Sequence, residues 1–283
     1  MTRVIFGSSG CIGKSLCQLT ASKSIDHLAL DSSKLNLLST DAASKINGIV
    51  NDGDDVIILA ALTPEKGDAV DTTAANVVMM QNILAGLKTV EVRHVIYISS
   101  DAVYSQDIES IKSSTPKSPS RLYGHAHLVR EEMLKHAIDS GHWTIIRPCA
   151  VYGHNDTHNA YGVMRFWREA VSNYSITLFG NGEEHRDHVH ADDVAAIIDQ
   201  ALALTIHGEF NASSGQSISF SSLATMIKAK MSKPVTIKSV ARQVSVTHRY
   251  IDNADLLAAF PNHHPRLIKF GLDDLLEQHN HEL

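Results

Sequence analysis

At 283 residues the chain has room for one large α/β domain or a domain with a smaller lobe, since domains commonly run to about 100–200 residues. A net charge of −6, with Lys and Arg scattered along the chain, leaves no basic footprint for nucleic acid, and 43% hydrophobic with 20% charged residues is an ordinary globular composition. No apolar run approaches the ~20 residues that span a bilayer, and Met1-Thr2-Arg3 runs into an apolar segment without a small-residue cleavage site, so the expected compartment is the cytoplasm, with no membrane partner.

The first element is a strand, Arg3-Val4-Ile5-Phe6, followed at once by Gly7-Ser8-Ser9-Gly10-Cys11-Ile12-Gly13. The Gly7-x-x-Gly10-x-x-Gly13 spacing turns the backbone sharply, lets a pyrophosphate approach the chain and lets the next helix pack close to the sheet. The N–H groups and macrodipole at that helix start favour an anion. Gly7, Ser9, Gly10, Cys11, Ile12 and Gly13 are therefore expected to hold a dinucleotide; a tight structural turn is the alternative. Asp31, about 20 residues past the loop, stands where a carboxylate accepts from the adenosine ribose hydroxyls. It would repel a 2′-phosphate, so NAD is expected over NADP, although Ser32, Ser33 and Lys34 could serve a phosphate and Asp31 could be a plain loop residue.

Up to Pro148, short apolar runs alternate with longer amphipathic ones, the pattern of a doubly wound parallel α/β sheet. Strands are expected at Arg3–Phe6, His27–Leu30, Val56–Ala60, His94–Ser99 and Trp143–Arg147. Helices are expected at Gly13–Ser22, Asp41–Ile46, Ala74–Thr89 and Tyr123–Ser140. Ser110–Ser120, rich in Ser, Pro and Lys, reads as a flexible surface loop. Beyond Pro148 the alternation fades and a second lobe is expected, with an aromatic helix at Tyr161–Ser172. Asp192–Leu204 reads as a helix capped by Asp192 that returns to the first domain. Further helices are expected at Ser221–Lys230, Asp255–Phe260 and Leu272–Gln278. The expected division is a dinucleotide-binding domain of residues 1–152 with 190–206, and a smaller, largely C-terminal substrate lobe of 153–189 with 207–283.

Cys11, Cys17 and Cys149 have neither zinc-ligand spacing nor the density of a disulfide scaffold, so free thiols are expected. His185, His188 and His190 are close enough to raise a metal site, but no metal is expected, because the segment belongs to a pattern with another explanation.

Tyr97-Ile98-Ser99-Ser100-Asp101-Ala102-Val103-Tyr104, followed by Tyr123-Gly124-His125-Ala126-His127, resembles the extended short-chain dehydrogenase/reductase family. So do Asn36-Leu37, Leu59-Ala60-Ala61, Asn76, Arg147-Pro148-x-x-Val151-Tyr152-Gly153, Gly180-Asn181-Gly182 and Arg186-Asp187-His188-Val189-His190-x-Asp192-Asp193. The resemblance implies a Rossmann fold and an NAD-binding epimerase, dehydratase or reductase acting on a nucleotide-linked sugar. It places Asn36, Leu37, Leu59, Ala60, Ala61, Asn76 and Pro148 beside the cofactor, and Arg186, Tyr152 and Phe179 beside the substrate. An arginine fork suits diphosphate oxygens; an ion pair of Arg186 with Asp192 or Asp193 is the structural alternative.

The resemblance also makes Tyr123 the acid/base and Ser100 its hydrogen-bonding partner. A lysine four residues after the tyrosine normally lowers its pKa and binds the nicotinamide ribose, and that position holds His127. Free histidine titrates near 6.5 and tyrosine near 10, so a neutral imidazole supplies little of the field that favours phenolate. Asp101 matches a dehydratase acid, but Ala102 replaces the glutamate expected beside it, which disfavours 4,6-dehydration; a turn-capping aspartate is the alternative.

The expected function is an NAD(P)-dependent epimerase or ketoreductase on a nucleotide-linked sugar. The rivals are a nucleotide-binding sensor that has lost the chemistry, and an oxidoreductase on a non-sugar substrate. Relatives often form homodimers through paired helices, here with Leu128, Met133 and Leu134 beside Val77, Met80 and Ile83; the same residues could equally be core.

Overall fold

The computed structural model describes residues 1–63 and 69–282. Six short strands make one parallel sheet: β1 Arg3–Phe6, β2 His27–Leu30, β3 Asp55–Ile58, β4 His94–Ile98, β5 Trp143–Pro148 and β6 Gly208–Ala212. Their order across the sheet is β6-β5-β4-β3-β1-β2. The order reverses between β1 and β3, the switch point at which doubly wound sheets open a crevice beyond the strands' carboxyl ends.

Side chains alternate between the two faces of each strand, so each inner strand feeds two cores. Ile5, Ile57, Ile96 and Ile146 pack under helices α1 (Cys11–Ser22) and α6 (Ala191–Leu204). Val4, Phe6, Val56, Val95, Tyr97 and Ile145 pack under α2 (Ala42–Asn47), α3 (Ala69–Leu87) and α4 (Leu122–Ala137). A third core lies under the second lobe, where Phe166 and Trp167 of α5 (Val163–Asn173) meet Phe220 and Leu223 of α7 (Phe220–Lys230). Two further helices follow, α8 (Ala254–Ala259) and α9 (Ile268–Glu282). Among the described residues no helix is long and apolar enough to cross a membrane.

The structure departs from the sequence reading in several places. Residues 208–212, expected in the second lobe, form β6 and pair with β5 from Gly208↔Thr144 to Ala212↔Pro148. The segment Gly-Glu-Phe-Asn-Ala lacks an apolar run because it is an edge strand whose Glu209 and Asn211 bond across to Arg147 and Tyr104. The cap of α6 is His190, whose Nδ1 accepts the N–H of Asp192 at 3.2 Å, and not Asp192 itself. The supposed loop at 110–120 begins with a short parallel pairing of Ser110–Ile111 to Tyr250–Ile251, which buries Ile111. Of the residues the sequence left open between helix pairing and core, Met80, Ile83 and Leu134 are fully buried against the sheet and serve its core.

Helix α4 is pinned to the sheet by charge. Arg147 of β5 and Glu131 of α4 are fully buried and joined by two hydrogen bonds, Nε to Oε1 at 2.8 Å and Nη2 to Oε2 at 2.6 Å. Ser99 donates to Glu131 at 2.5 Å, and the Tyr104 hydroxyl and Glu209 complete the partners of Arg147. Removing one member of a buried pair strands the other. Glu131→Ala should lower stability by about 3–5 kcal/mol. The neighbouring Glu132→Ala, which loses only an exposed pair with Lys135, should stay within about 1 kcal/mol; urea unfolding midpoints separate the two.

Glu209 gives a pH signature. Burial opposes its charge, but hydrogen bonds from Lys117, Lys135 and Arg147 outweigh burial and bring the carboxyl down to about 2. A carboxyl depressed from 4.5 on folding contributes its stability in full above that pH and loses it as pH falls toward about 2. Glu209→Gln should therefore be less stable than the native chain at neutral pH, with the gap closing across that acid window in urea titrations at stepped pH.

Candidate active site

The turn after β1 is forced by glycine. Gly7 has φ +93°, and a Cβ there would lie 2.6 Å from the Ala60 nitrogen. A Cβ on Gly13 would lie 2.4 Å from the Gly7 carbonyl, so α1 starts closer to β1 than any side chain permits. Gly10 is the N-cap of α1 and supplies no side-chain cap, leaving the first-turn N–H groups facing outward. Cys11 also lines this turn; burial first, then Asp156 and Asp192, raise its thiol to about 12 and keep it protonated.

These residues floor a cavity of about 420 Å³, lined by Gly7, Gly10, Cys11, Ile12 and Gly13 at one end. Leu59, Ala61 and Pro148 form apolar walls, and Ser100, Asp101, Tyr123 and His127 stand across from the glycines. Helix α4 presses close here because Gly124 faces the Ala102 carbonyl, where a Cβ would sit only 2.0 Å away. Ser100 caps a single 3₁₀ turn at Asp101–Val103: its Oγ accepts the Ala102 N–H at 3.1 Å, and its own hydroxyl faces the Asp101 carboxyl.

Asp101 is paired with Arg249, Oδ2 to Nε 3.2 Å, while Arg249 also donates to the Asp101 carbonyl at 2.7 Å. Burial raises the Asp101 carboxyl above its usual range against the pull of Arg249 and then Arg186. His127 is buried, with Nδ1 2.6 Å from the Tyr97 hydroxyl and its ring edge-on to Tyr123 at 4.6 Å. Burial first, then the Arg130 charge, hold it well below the ordinary histidine range. It is a neutral ring where a lysine would carry charge.

A second cavity of about 480 Å³ shares Asp101 and Tyr123 with the first and is rimmed by Arg121, Arg186 and Arg249 opposite Glu184. Arg186 is held there by donating to the His185 carbonyl at 2.8 Å and to the carbonyl and hydroxyl of Thr247 at 2.5 and 3.0 Å. Its alternative ion pairs do not form: Asp192 and Asp193 pair with Arg266.

Most of the other expected site residues lie off the cavities. Asp31 stands at the end of β2 with Oδ1 accepting from the Ser33 N–H and hydroxyl at 2.9 and 2.5 Å. Ser9 is exposed, and Asn36 turns its amide oxygen to the Leu38 N–H. Leu37 is buried in the core under α3. Asn76 bonds both backbone groups of Leu62 at 2.8 Å, fixing the chain after β3. The Ala60 carbonyl accepts from Arg130 at 2.7 Å. The Tyr152 ring lines the first cavity while its hydroxyl faces Gly271 of α9, and Phe179 packs on Tyr161 outside both cavities.

The sequence reading gave no role to Arg249, Arg121 and Arg130, and it named His188 and Tyr97 only within a histidine cluster and a motif. Arg249 lies 148 residues from Asp101 in a stretch without regular pattern, so no local signal marks it. Arg130 had one: it lies two turns beyond Tyr123 on the same face of α4. His188 lines the first cavity with neither ring nitrogen hydrogen-bonded. Among the described residues, no three His, Cys, Asp or Glu side chains gather as a metal site.

The family model for the NAD dependent epimerase/dehydratase family matches residues 4–212. An Escherichia coli O157:H7 protein named N-acetyl-alpha-D-glucosaminyl-diphospho-ditrans,octacis-undecaprenol 4-epimerase is 26% identical over 157 residues, 53% of this chain and 45% of that one. A Methanocaldococcus jannaschii protein named putative UDP-glucose 4-epimerase is 28% identical over 185 residues, 62% of this chain and 60% of that one. The chain thus spans about half the length of the curated relatives it matches. Among solved structures, UDP-glucose 4-epimerase from Thermotoga maritima with UDP-glucose superposes with a TM-score of 0.85 at 20% identity, covering 100% of this chain and 99% of that one. The complex of Thermus thermophilus UDP-glucose 4-epimerase with NAD gives 0.83 at 18%, covering 96% of each. These two likenesses are of fold, and the glycine turn and the match over residues 4–212 carry the assignment: the chain belongs to the NAD dependent epimerase/dehydratase family.

Proposed function

We propose that the protein is an NAD-dependent epimerase or ketoreductase acting on a nucleotide-linked sugar. The observation that carries this reading is the placement of Tyr123 and Asp101 on the wall shared by two cavities, one floored by the glycine turn and the other rimmed by arginines. The names of the relatives, sugar 4-epimerases, support the same reading.

The first cavity fits a dinucleotide. Gly7 and Gly13 leave a cradle that a Cβ would fill, and the uncapped start of α1 offers N–H groups to a pyrophosphate. Asp31 would accept from the adenosine ribose and favour NAD over NADP. Leu59, Ala61 and Pro148 would flank the rings. When bound, a nicotinamide dinucleotide supplies reversible hydride acceptance. The chain's own part is proton handling and orientation. Tyr123 takes the proton of the sugar hydroxyl and returns it, and Ser100 donates its hydroxyl proton to the same oxygen. Arg186, with Arg121 and Arg249, faces the substrate's diphosphate across the second cavity. Tyr152 packs behind the sugar, and Phe179 contributes only at the rim of the lobe. In this reading Asp101 orients Arg249 rather than protonating a leaving group. The division into residues 1–152 with 190–206 and a second lobe belongs to the proposal with β6 added to the first part. A cytoplasmic location and self-association through α3 and α4 belong to it as well.

A second reading has one observation in its favour. His127 is buried and neutral, so the charge that usually accompanies such a tyrosine is absent, as in a nucleotide-binding sensor without turnover. Tyr123→Phe separates the two. With UDP-sugars and NAD⁺ we expect turnover to fall by about 10²–10⁴-fold while NAD⁺ binding by calorimetry is unchanged; no native turnover with any nucleotide-sugar favours the sensor.

Gly10→Asp tests the cradle. The position is extended, at φ −72° and ψ 171°, and a Cβ meets nothing closer than 3.6 Å, so aspartate should cap α1 and leave thermal stability intact or slightly raised. Its carboxylate would face the pyrophosphate, and NAD⁺ affinity should fall more than about tenfold. Undiminished affinity would remove the glycine turn from the binding site.

A further inference from the structure

The residue that replaces the usual lysine is not an ordinary solvent-facing histidine. The His127 ring is 2% exposed. It stacks at 23° on Tyr97 of β4, with centroids 5.9 Å apart, and meets Tyr123 edge-on at 4.6 Å. Nδ1 lies 2.6 Å from the Tyr97 hydroxyl, Nε2 is itself buried with no hydrogen-bond partner among the described residues, and the residue forms part of the first cavity's wall.

The groups acting on this ring are Tyr97 from the sheet and Arg130 and Tyr123 from α4. The Arg130 guanidinium is buried 4.9 Å over the Tyr97 ring, close enough for its charge to oppose a second cation at His127. Burial likewise raises the Tyr97 phenol, so both partners of the 2.6 Å contact are neutral.

One proton must then lie between phenol and imidazole. A phenol is a stronger acid than a neutral imidazole N–H, and an imidazole nitrogen is a stronger base than a phenol oxygen. Tyr97 therefore donates and Nδ1 accepts. The nearby Ser99 hydroxyl already donates to Glu131 at 2.5 Å. With Nδ1 as acceptor, the imidazole proton sits on Nε2.

We propose that Tyr97 is a positioning residue that fixes His127 as the Nε2–H tautomer, a neutral hydrogen-bond donor in the wall of the dinucleotide cavity beside Tyr123. A lysine there would bring a charge and three mobile donors. The tyrosine–histidine pair brings one rigid donor that stays neutral through the pH range of the cytoplasm. The catalytic consequence rests on the acid/base reading of Tyr123 given above, but the tautomer does not.

The test is the ¹⁵N–¹H imidazole spectrum of the full chain, with His127 identified by the signal lost in His127→Gln. The expected result at pH 7 is a single Nε2–H tautomer that remains unprotonated well below the ordinary histidine range. In Tyr97→Phe the ring should become a mixture of tautomers, and NAD⁺ affinity should weaken by about fivefold, the worth of one hydrogen bond. A residue that only packs would leave both readouts unmoved. An Nδ1–H tautomer or an imidazolium at pH 7 in the native chain overturns the proposal, as does a Tyr97→Phe protein with unchanged tautomer and affinity. The native spectrum decides the matter even where that variant fails to fold. Failure of nucleotide-sugar turnover leaves the spectra untouched, so the two readings fail separately.

Discussion

Two buried charges, Arg147 and Glu131, hold the helix that carries Tyr123 against the sheet. Removing each ion from water costs several kcal/mol, and only paired, well-directed hydrogen bonds offset it. Here the offset is assembled from Ser99 on the end of β4, Tyr104 after it, Glu131 on α4, Arg147 on β5 and Glu209 on β6. Because the partners come from several elements, they fix the rotation and height of α4 on the sheet. Gly124 then lets the helix close on the Ala102 carbonyl, and Tyr123 and Ser100 come to line the same cavity. The edge strand β6 takes part in this arrangement through Glu209, which explains why a strand with so little apolar character is retained in the sheet.

The electrostatics of the site divide along the two cavities. The first cavity is lined by glycines, apolar walls, a protonated thiol at Cys11 and a neutral His127, with Asp101 and Asp156 as its carboxylates. Backbone N–H groups at the start of α1, without a side-chain cap, stand at its glycine end and could meet an anion with no side-chain reorganisation. The other side concentrates arginines, two of them held by carbonyls and by Asp101. Tyr123 lines both, the glycine-floored cavity and the arginine-rimmed one. Burial first, and then the charge of Arg130 against Tyr97, keep the histidine neutral.

What was legible in the sequence is what local chemistry dictates. The glycine spacing after β1, the apolar runs of the first five strands and the helical placement of Tyr123 and His127 on one face all follow from short-range geometry. The resemblance carried Ser100, Asp101 and Arg186 to the two cavities as well. Hidden from it were groups whose significance lies in a partner distant in the chain. Asn36 and Leu37, assigned to the cofactor by pattern, place their side chains on the Leu38 N–H and in the core under α3, contacts that the sequence did not show.

The sequence by itself determined that a parallel α/β sheet opens with a glycine turn and that a histidine stands where a lysine is usual. Only the tertiary structure decided what that histidine is. Its charge and tautomer depend on burial, on a phenol 30 residues earlier in the chain and on a guanidinium stacked above that phenol. Desolvation and hydrogen-bond direction are properties of packed neighbours rather than of residue identity, and no spacing in the chain encodes them.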